Sequence, residues 1–177
     1  LPNGQPLAPA EPVTTVSPLG IVETVFADAT TGIISTTIGM NFSSSTIMNN
    51  LINTNWTTDV NGKYHLQAAD ALGQIVEPKD TWACINSNVV DAAGQASVVS
   101  DFYFFNGKGE MVVGWLNDVS GKTYFLETAA TAEQGKMLRG WKNIAGKYFY
   151  FNPDGTLLKG GVTPDGYTVD ANGVWIG

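Results

Sequence analysis

The sequence predicts an all-β protein: a β-hairpin repeat solenoid preceded by an N-terminal β-hairpin cap. Three observations lead there. First, charged residues make up only 14% of the 177, while Gly reaches 20 and aromatics 11%. That balance suits a β-rich extracellular module better than a helical cytosolic enzyme. Second, a unit built on Trp recurs along the chain. Third, Asn, Asp and Gly cluster between short apolar runs, as in "NGKG" from Asn106 and "NPDG" from Asn152. These residues accept the left-handed backbone of tight hairpin turns.

Along the chain, residues 1–20 read as a Pro-rich linker. Five of the eight prolines fall in the first eighteen residues, and such segments stay extended. The expectation is a linker exposed after removal of a leader. Residues 21–50 are expected to form the cap. In "GIISTTIGMNF", Ile34, Thr36, Ile38, Met40 and Phe42 share one face, and Ser35, Thr37, Gly39 and Asn41 the other. That alternation is a half-buried strand. "IVETVFA" is its partner across "DATTG", and the hairpin is expected to pack on, or cap, the first repeat. "SSSTIMNNLI" from Ser43 reads as one short helical turn, because serines precede apolar residues.

Residues 51–177 hold the repeats. "WTTDVNGKYHL" from Trp56, "WLNDVSGKTYFL" from Trp115 and "WKNIAGKYFYF" from Trp141 align from the Trp. A second element follows each strand: "GEMVVGW" from Gly109, "GKMLRGW" from Gly135 and "GTLLKGG" from Gly155. The repeat tryptophans Trp56, Trp82, Trp115 and Trp141 are 26, 33 and 26 residues apart. Insertions after Ile85 and Leu126 account for the longer units. Each unit reads as a hairpin too small to stand alone, so stacking into a shared core explains the repetition. Within Tyr148–Phe151, alternation sends Tyr148 and Tyr150 one way and Phe149 and Phe151 the other.

Several functions are excluded or unsupported. The net charge is −7, with nine Lys and Arg scattered along the chain, and the pI is about 4.4. Nucleic-acid binding needs clustered positive charge and is not expected. No apolar run reaches membrane-spanning length, so no membrane insertion is expected. Cys84 is the only cysteine and reads as a small buried hydrophobe. His65 is the only histidine and lies on an aromatic strand, where it reads as structural. No catalytic triad, metal motif or cofactor signature is present, so the chain is expected to be non-enzymatic, with no cofactor.

The pattern Gly-Trp, turn, Gly-Lys-aromatic-aromatic-aromatic, Asp-Gly, apolar pair, Gly resembles the cell-wall-binding repeats of choline-binding and glucan-binding surface proteins. The resemblance covers roughly residues 51–177 and is strongest from Gly109 to Gly161. It implies a secreted module at a bacterial cell surface, with a cell-wall polymer or glycan as partner. In choline-binding members a quaternary ammonium sits in a cage between consecutive hairpins. Carried over, the cage tryptophan is Trp115 or Trp141, and Trp82 or Trp56 in the weaker repeats. The next wall is Tyr148, Phe102 or Tyr64, with Thr123 in that place in the repeat from Trp115. The third wall comes from Tyr150 or Met137. Two alternatives stay open: a structural spacer or self-association repeat, and the targeting part of a cell-wall hydrolase. Edge strands on a solenoid also leave open a homo-oligomer formed by exchange of the N-terminal arm.

Overall fold

The computed structural model describes residues 11–40 and 47–177. Among them there are fourteen strands and no helix. The N-terminal strands are β1 (Val13–Val16), β2 (Val22–Ala27) and β3 (Ile34–Ile38). The repeats supply β4 (Met48–Thr58), β5 (Tyr64–Ala69), β6 (Ile75–Val76), β7 (Thr81–Val90) and β8 (Ala96–Phe105). They continue with β9 (Gly114–Asp118), β10 (Thr123–Leu126), β11 (Gly140–Ile144) and β12 (Lys147–Phe151). The last pair is β13 (Gly161–Val162) with β14 (Thr168–Val169).

The hairpins close as the turn residues dictate. Asn106 shows how: its Oδ1 accepts from the backbone N–H of Lys108 at 3.0 Å and of Glu110 at 2.9 Å. Asn106 N–H donates to the Glu110 carbonyl, and Gly109 N–H donates back to the Asn106 carbonyl. Asp59, Asp70, Asp91, Asp118 and Asp170 repeat this clasp. The side-chain oxygen collects two backbone donors that the turn would otherwise leave without a protein partner.

One backbone bond recurs as a stitch between successive repeats, and the first two are also joined by a parallel ladder between β4 and β7. Met111 N–H donates to the Tyr64 carbonyl, Met137 to Phe102, Leu157 to Thr123, and Trp175 to Tyr148, at 2.7 to 2.9 Å. Each repeat therefore reaches back to the second strand of the one before. A spine of side chains follows the same path. A methyl on Gly135 would collide with Met111 Sδ, and one on Gly155 with Met137 Sδ. Glycine at these two places lets the preceding repeat's methionine lie against the turn.

Three apolar clusters fill the interior. One joins Ile38, Trp82, Phe104, Leu116, Tyr124 and Leu126. A second holds Leu51, Leu66, Ala83, Tyr103, Phe105 and Met111. The third holds Phe125, Ile144, Phe149, Phe151 and Leu157. The strand alternation read from the sequence holds: Phe149 and Phe151 are buried, while Tyr148 is 49% exposed.

The N-terminal hairpin forms as expected, with β2 antiparallel to β3. Its docking differs from the expectation. β3 runs parallel to β9, pairing Ser35 with Trp115 and Ile38 with Asp118. The hairpin thus joins the Trp115 repeat in one sheet, ordered β1-β2-β3-β9-β10, instead of covering the Trp56 repeat. The reason is packing: Ile38 is fully buried among Trp82, Phe104 and Leu116. Two further expectations are corrected. Val13–Val16, inside the presumed linker, is a strand paired with β2. Residues 48–58, overlapping the presumed helical turn, are strand β4; residues 41–46, with Phe42 and Ser43, lie outside the described residues. The insertion after Ile85 is no loose loop, because it lengthens β7 and β8 into ten-residue strands.

Candidate functional site

The stitching bonds define which residues are equivalent. Tyr64, Phe102, Thr123 and Tyr148 offer the accepting carbonyls, and Met111, Met137, Leu157 and Trp175 the donating N–H groups. Each repeat tryptophan then corresponds by position to one member of each set. The four combinations are Trp56 with Tyr64 and Met111, Trp82 with Phe102 and Met137, Trp115 with Thr123 and Leu157, and Trp141 with Tyr148 and Trp175. One scaffold position thus carries four different chemistries.

The Trp141 groove is the most aromatic. Trp141, Tyr148, Tyr167 and Trp175 line an open hollow of about 430 Å³, together with Asp165. Trp141 meets Tyr167 edge-on at 5.9 Å, Tyr167 meets Trp175 at 6.4 Å, and Tyr148 meets Trp175 at 6.3 Å. Tyr148, Tyr167 and Trp175 are each 45 to 49% exposed. Trp141 Nε1–H donates to Asp165 Oδ2 at 2.9 Å, and the Thr163 hydroxyl donates to Asp165 Oδ1 at 2.6 Å. The Thr163 hydroxyl, and then the Trp141 N–H, hold the Asp165 carboxyl below the usual carboxylate range. The groove is therefore a ring of π faces with one fixed negative charge at its rim.

The other repeat positions differ in what surrounds the tryptophan. Trp56, Tyr64 and Met111 line a smaller hollow of about 250 Å³, whose wall includes Thr131 and Gln134 of the second insertion. Trp82 is only 4% exposed and packs edge-on against Phe104 and Tyr124. It is a core residue, which corrects its placement as a ligand wall. Phe102 carries the Arg139 guanidinium 5.4 Å above its ring. Met137 is half-buried against the first cluster. Trp115 stands edge-on to Phe125 and Phe149, over a groove floored by Thr123 and Leu157.

The sequence-derived positions therefore divide. Trp141 and Tyr148 come together in one groove. Tyr150 lies behind them, packing on Trp141 at 5.4 Å from the same hairpin, and does not line the hollow. Neither it nor Met137 is the third wall at this groove; Trp175 of the following hairpin is. Tyr167, Trp175 and Asp165 escaped the sequence reading. A signal was there: Trp175 follows Gly173 by two residues, as Met137 follows Gly135. Among the described residues, no group of three His, Cys, Asp or Glu is arranged to hold a metal ion. No helix of the described residues is long and apolar enough to cross a membrane.

No protein-family model matches the chain, and no curated protein matches it. Solved structures do. Choline-binding protein F of Streptococcus pneumoniae, in the presence of a peptidoglycan analogue, is 23% identical over 69% of this chain, with a TM-score of 0.38. The choline-binding domain of Spr1274 from Streptococcus pneumoniae is 29% identical over 52% of this chain and 96% of its own, with a TM-score of 0.38. The pneumococcal cell-wall endolysin of phage Cp-1, complexed with choline, is 18% identical over 72% of this chain and 38% of its own, with a TM-score of 0.41. The chain spans about half the length of the choline-binding protein F structure, 46% of it. Of these three similar structures, two are choline-binding proteins by name and the third is an endolysin complexed with choline.

Proposed function

We propose that the chain is a non-catalytic binding module that holds a bacterial protein to a cell-wall polymer, by capturing a quaternary ammonium group in the Trp141 groove. The observation that carries this reading is the ring of Trp141, Tyr148, Tyr167 and Trp175 around one hollow, with Asp165 as its only charged side chain. A trimethylammonium head has no N–H to donate, so hydrogen-bond acceptors gain little from it. Aromatic faces attract it through their quadrupoles, at about 0.5–2 kcal/mol for each ring engaged. Asp165 adds a long-range attraction for any cation entering the groove.

A cage shared between two hairpins has a second consequence. Tyr148 comes from one hairpin and Trp175 from the next, so a bound cation links them. Ligand binding is therefore expected to raise the stability of the C-terminal repeats by mass action. Trp82, buried in the core, serves packing.

The test is titration with choline, followed by tryptophan fluorescence. Trp141→Ala is expected to weaken binding fivefold or more, about 1 kcal/mol. Asp165→Asn is expected to weaken it less, and to flatten its dependence on salt. An affinity for choline unchanged by Trp141→Ala and Trp175→Ala together would refute the reading.

A further inference from the structure

The neighbouring groove, at Trp115, has the opposite character. It is an open hollow of about 570 Å³, with Trp115 and Phe149 as its aromatic part. Where the other repeats carry Tyr64, Phe102 and Tyr148, this one carries Thr123, whose hydroxyl donates to Asn117 Oδ1 at 2.8 Å. Asn117 Nδ2 in turn donates to the Ser35 hydroxyl at 3.3 Å, so the N-terminal hairpin supplies part of the wall. That amide has a second N–H, and Ser35 a hydroxyl proton, which these two bonds do not use.

The charge is also reversed. Lys147 and Lys159 both line this groove, against one carboxylate, Asp170. Asp170 Oδ1 is already taken by the backbone N–H groups of Asn172 and Val174 at 2.8 and 2.9 Å. Lys159 Nζ donates to the Gly121 carbonyl at 3.0 Å, which fixes one ammonium at the rim and leaves two of its protons for other acceptors. On a chain with a net charge of −7, a groove with a positive excess is a local inversion of the field. It repels the cations that the Trp141 groove attracts.

We propose that the Trp115 groove is a second ligand site that takes an acidic saccharide, a sugar ring carrying a carboxylate or phosphate. The apolar C–H face of a pyranose matches the exposed part of Trp115, as pockets pair apolar walls with a few placed polar groups. Asn117, Thr123 and Ser35 meet the ring hydroxyls. Lys147 and Lys159 meet the anionic substituent through charge-assisted hydrogen bonds. The proposal goes beyond the cation reading of the Trp141 groove and does not depend on it.

Tetragalacturonate is the probe, with neutral galactotetraose and inorganic phosphate as controls, titrated against the intact chain by calorimetry. The tetrauronate is expected to bind more tightly than either control. Lys147→Glu should weaken it at least tenfold, Lys147→Arg should stay within twofold, and Trp141→Ala should leave it unchanged. Lys147 is exposed, so its variants are expected to fold; unchanged thermal unfolding checks this. Three outcomes overturn the proposal: no tetrauronate binding, galactotetraose or phosphate binding as tightly, or indifference to Lys147→Glu. Choline titrated in parallel separates the two grooves. Choline binding with no tetrauronate binding sinks this site alone, and the reverse sinks the cation reading alone.

Discussion

Gly155→Ala tests the spine that joins the repeats. Gly155 has φ +86°, a region in which an L side chain is strained. Placing Ala there costs about 1–2 kcal/mol. The added methyl also falls on the Sδ of Met137, with Cε and Cγ close behind. Forcing an extra carbon into a packed site costs about 1–3 kcal/mol. The two effects are separate, so the variant is expected to lose about 2–5 kcal/mol. Met137 is the far end of a flexible side chain and can yield, which favours the lower half of that range. Urea unfolding of four proteins isolates the packing part: wild type, Gly155→Ala, Met137→Ala and the double variant. Met137→Ala alone leaves a gap and is expected to cost about 2 kcal/mol, because its side chain is only half-buried. In the double variant the alanine methyl has room. Its loss should therefore fall short of the sum of the single losses by 1 kcal/mol or more, read as a coupling energy. Strict additivity, or a Gly155→Ala protein as stable as wild type, would refute the claim that methionine and turn glycine pack against each other.

Two further outcomes are expected. Trp82→Ala should cost about 3–5 kcal/mol in chemical unfolding, and Trp141→Ala much less, because only Trp82 is enclosed by the core; equal losses would contradict the division between core and groove. Glu23 is 9% exposed, and burial pushes its carboxyl up, only partly offset by a hydrogen bond from Asn106, with Asp80 and Glu110 pushing the same way. Its folded state holds the proton more tightly than the unfolded chain does, so its contribution to stability is full below the ordinary glutamate range and fades as pH rises through the raised value. Glu23→Gln should remove that fall in a series of unfolding curves from pH 4 upward, and an unchanged pH profile would contradict it.

What was legible in the sequence was local. Strand alternation put Phe149 and Phe151 inside and Tyr148 outside, because side-chain direction follows from residue spacing alone. Turn chemistry placed the hairpins, because one Asx residue and one glycine close each clasp. The parallel pairing of β3 with β9 was not legible, since no periodic signal says which distant strand edge a hairpin will join. Trp82 shows a different limit. It occupies the same repeat position as Trp141, yet it is covered by Ile38, Phe104 and Tyr124. Ile38 comes from outside the repeats, so equivalence within the repeat could not reveal the burial. Trp175 was hidden by role: it substitutes for the methionine of other repeats, and the backbone bond to Tyr148 confirms the equivalence that its spacing from Gly173 suggests.

The junction between β3 and β9 also bears on how the chain folds. Hairpins close within microseconds because their contacts are near in sequence. The pairing of Ser35 with Trp115 must instead close a loop containing the first two repeats, at an entropic cost that grows with loop length. During synthesis, β3 leaves the ribosome long before β9 exists. In that interval the apolar face bearing Ile38 has no partner, and afterwards the edge of β9 waits for it. Folding should therefore show a fast phase from local hairpins and a slower one set by this long-range closure.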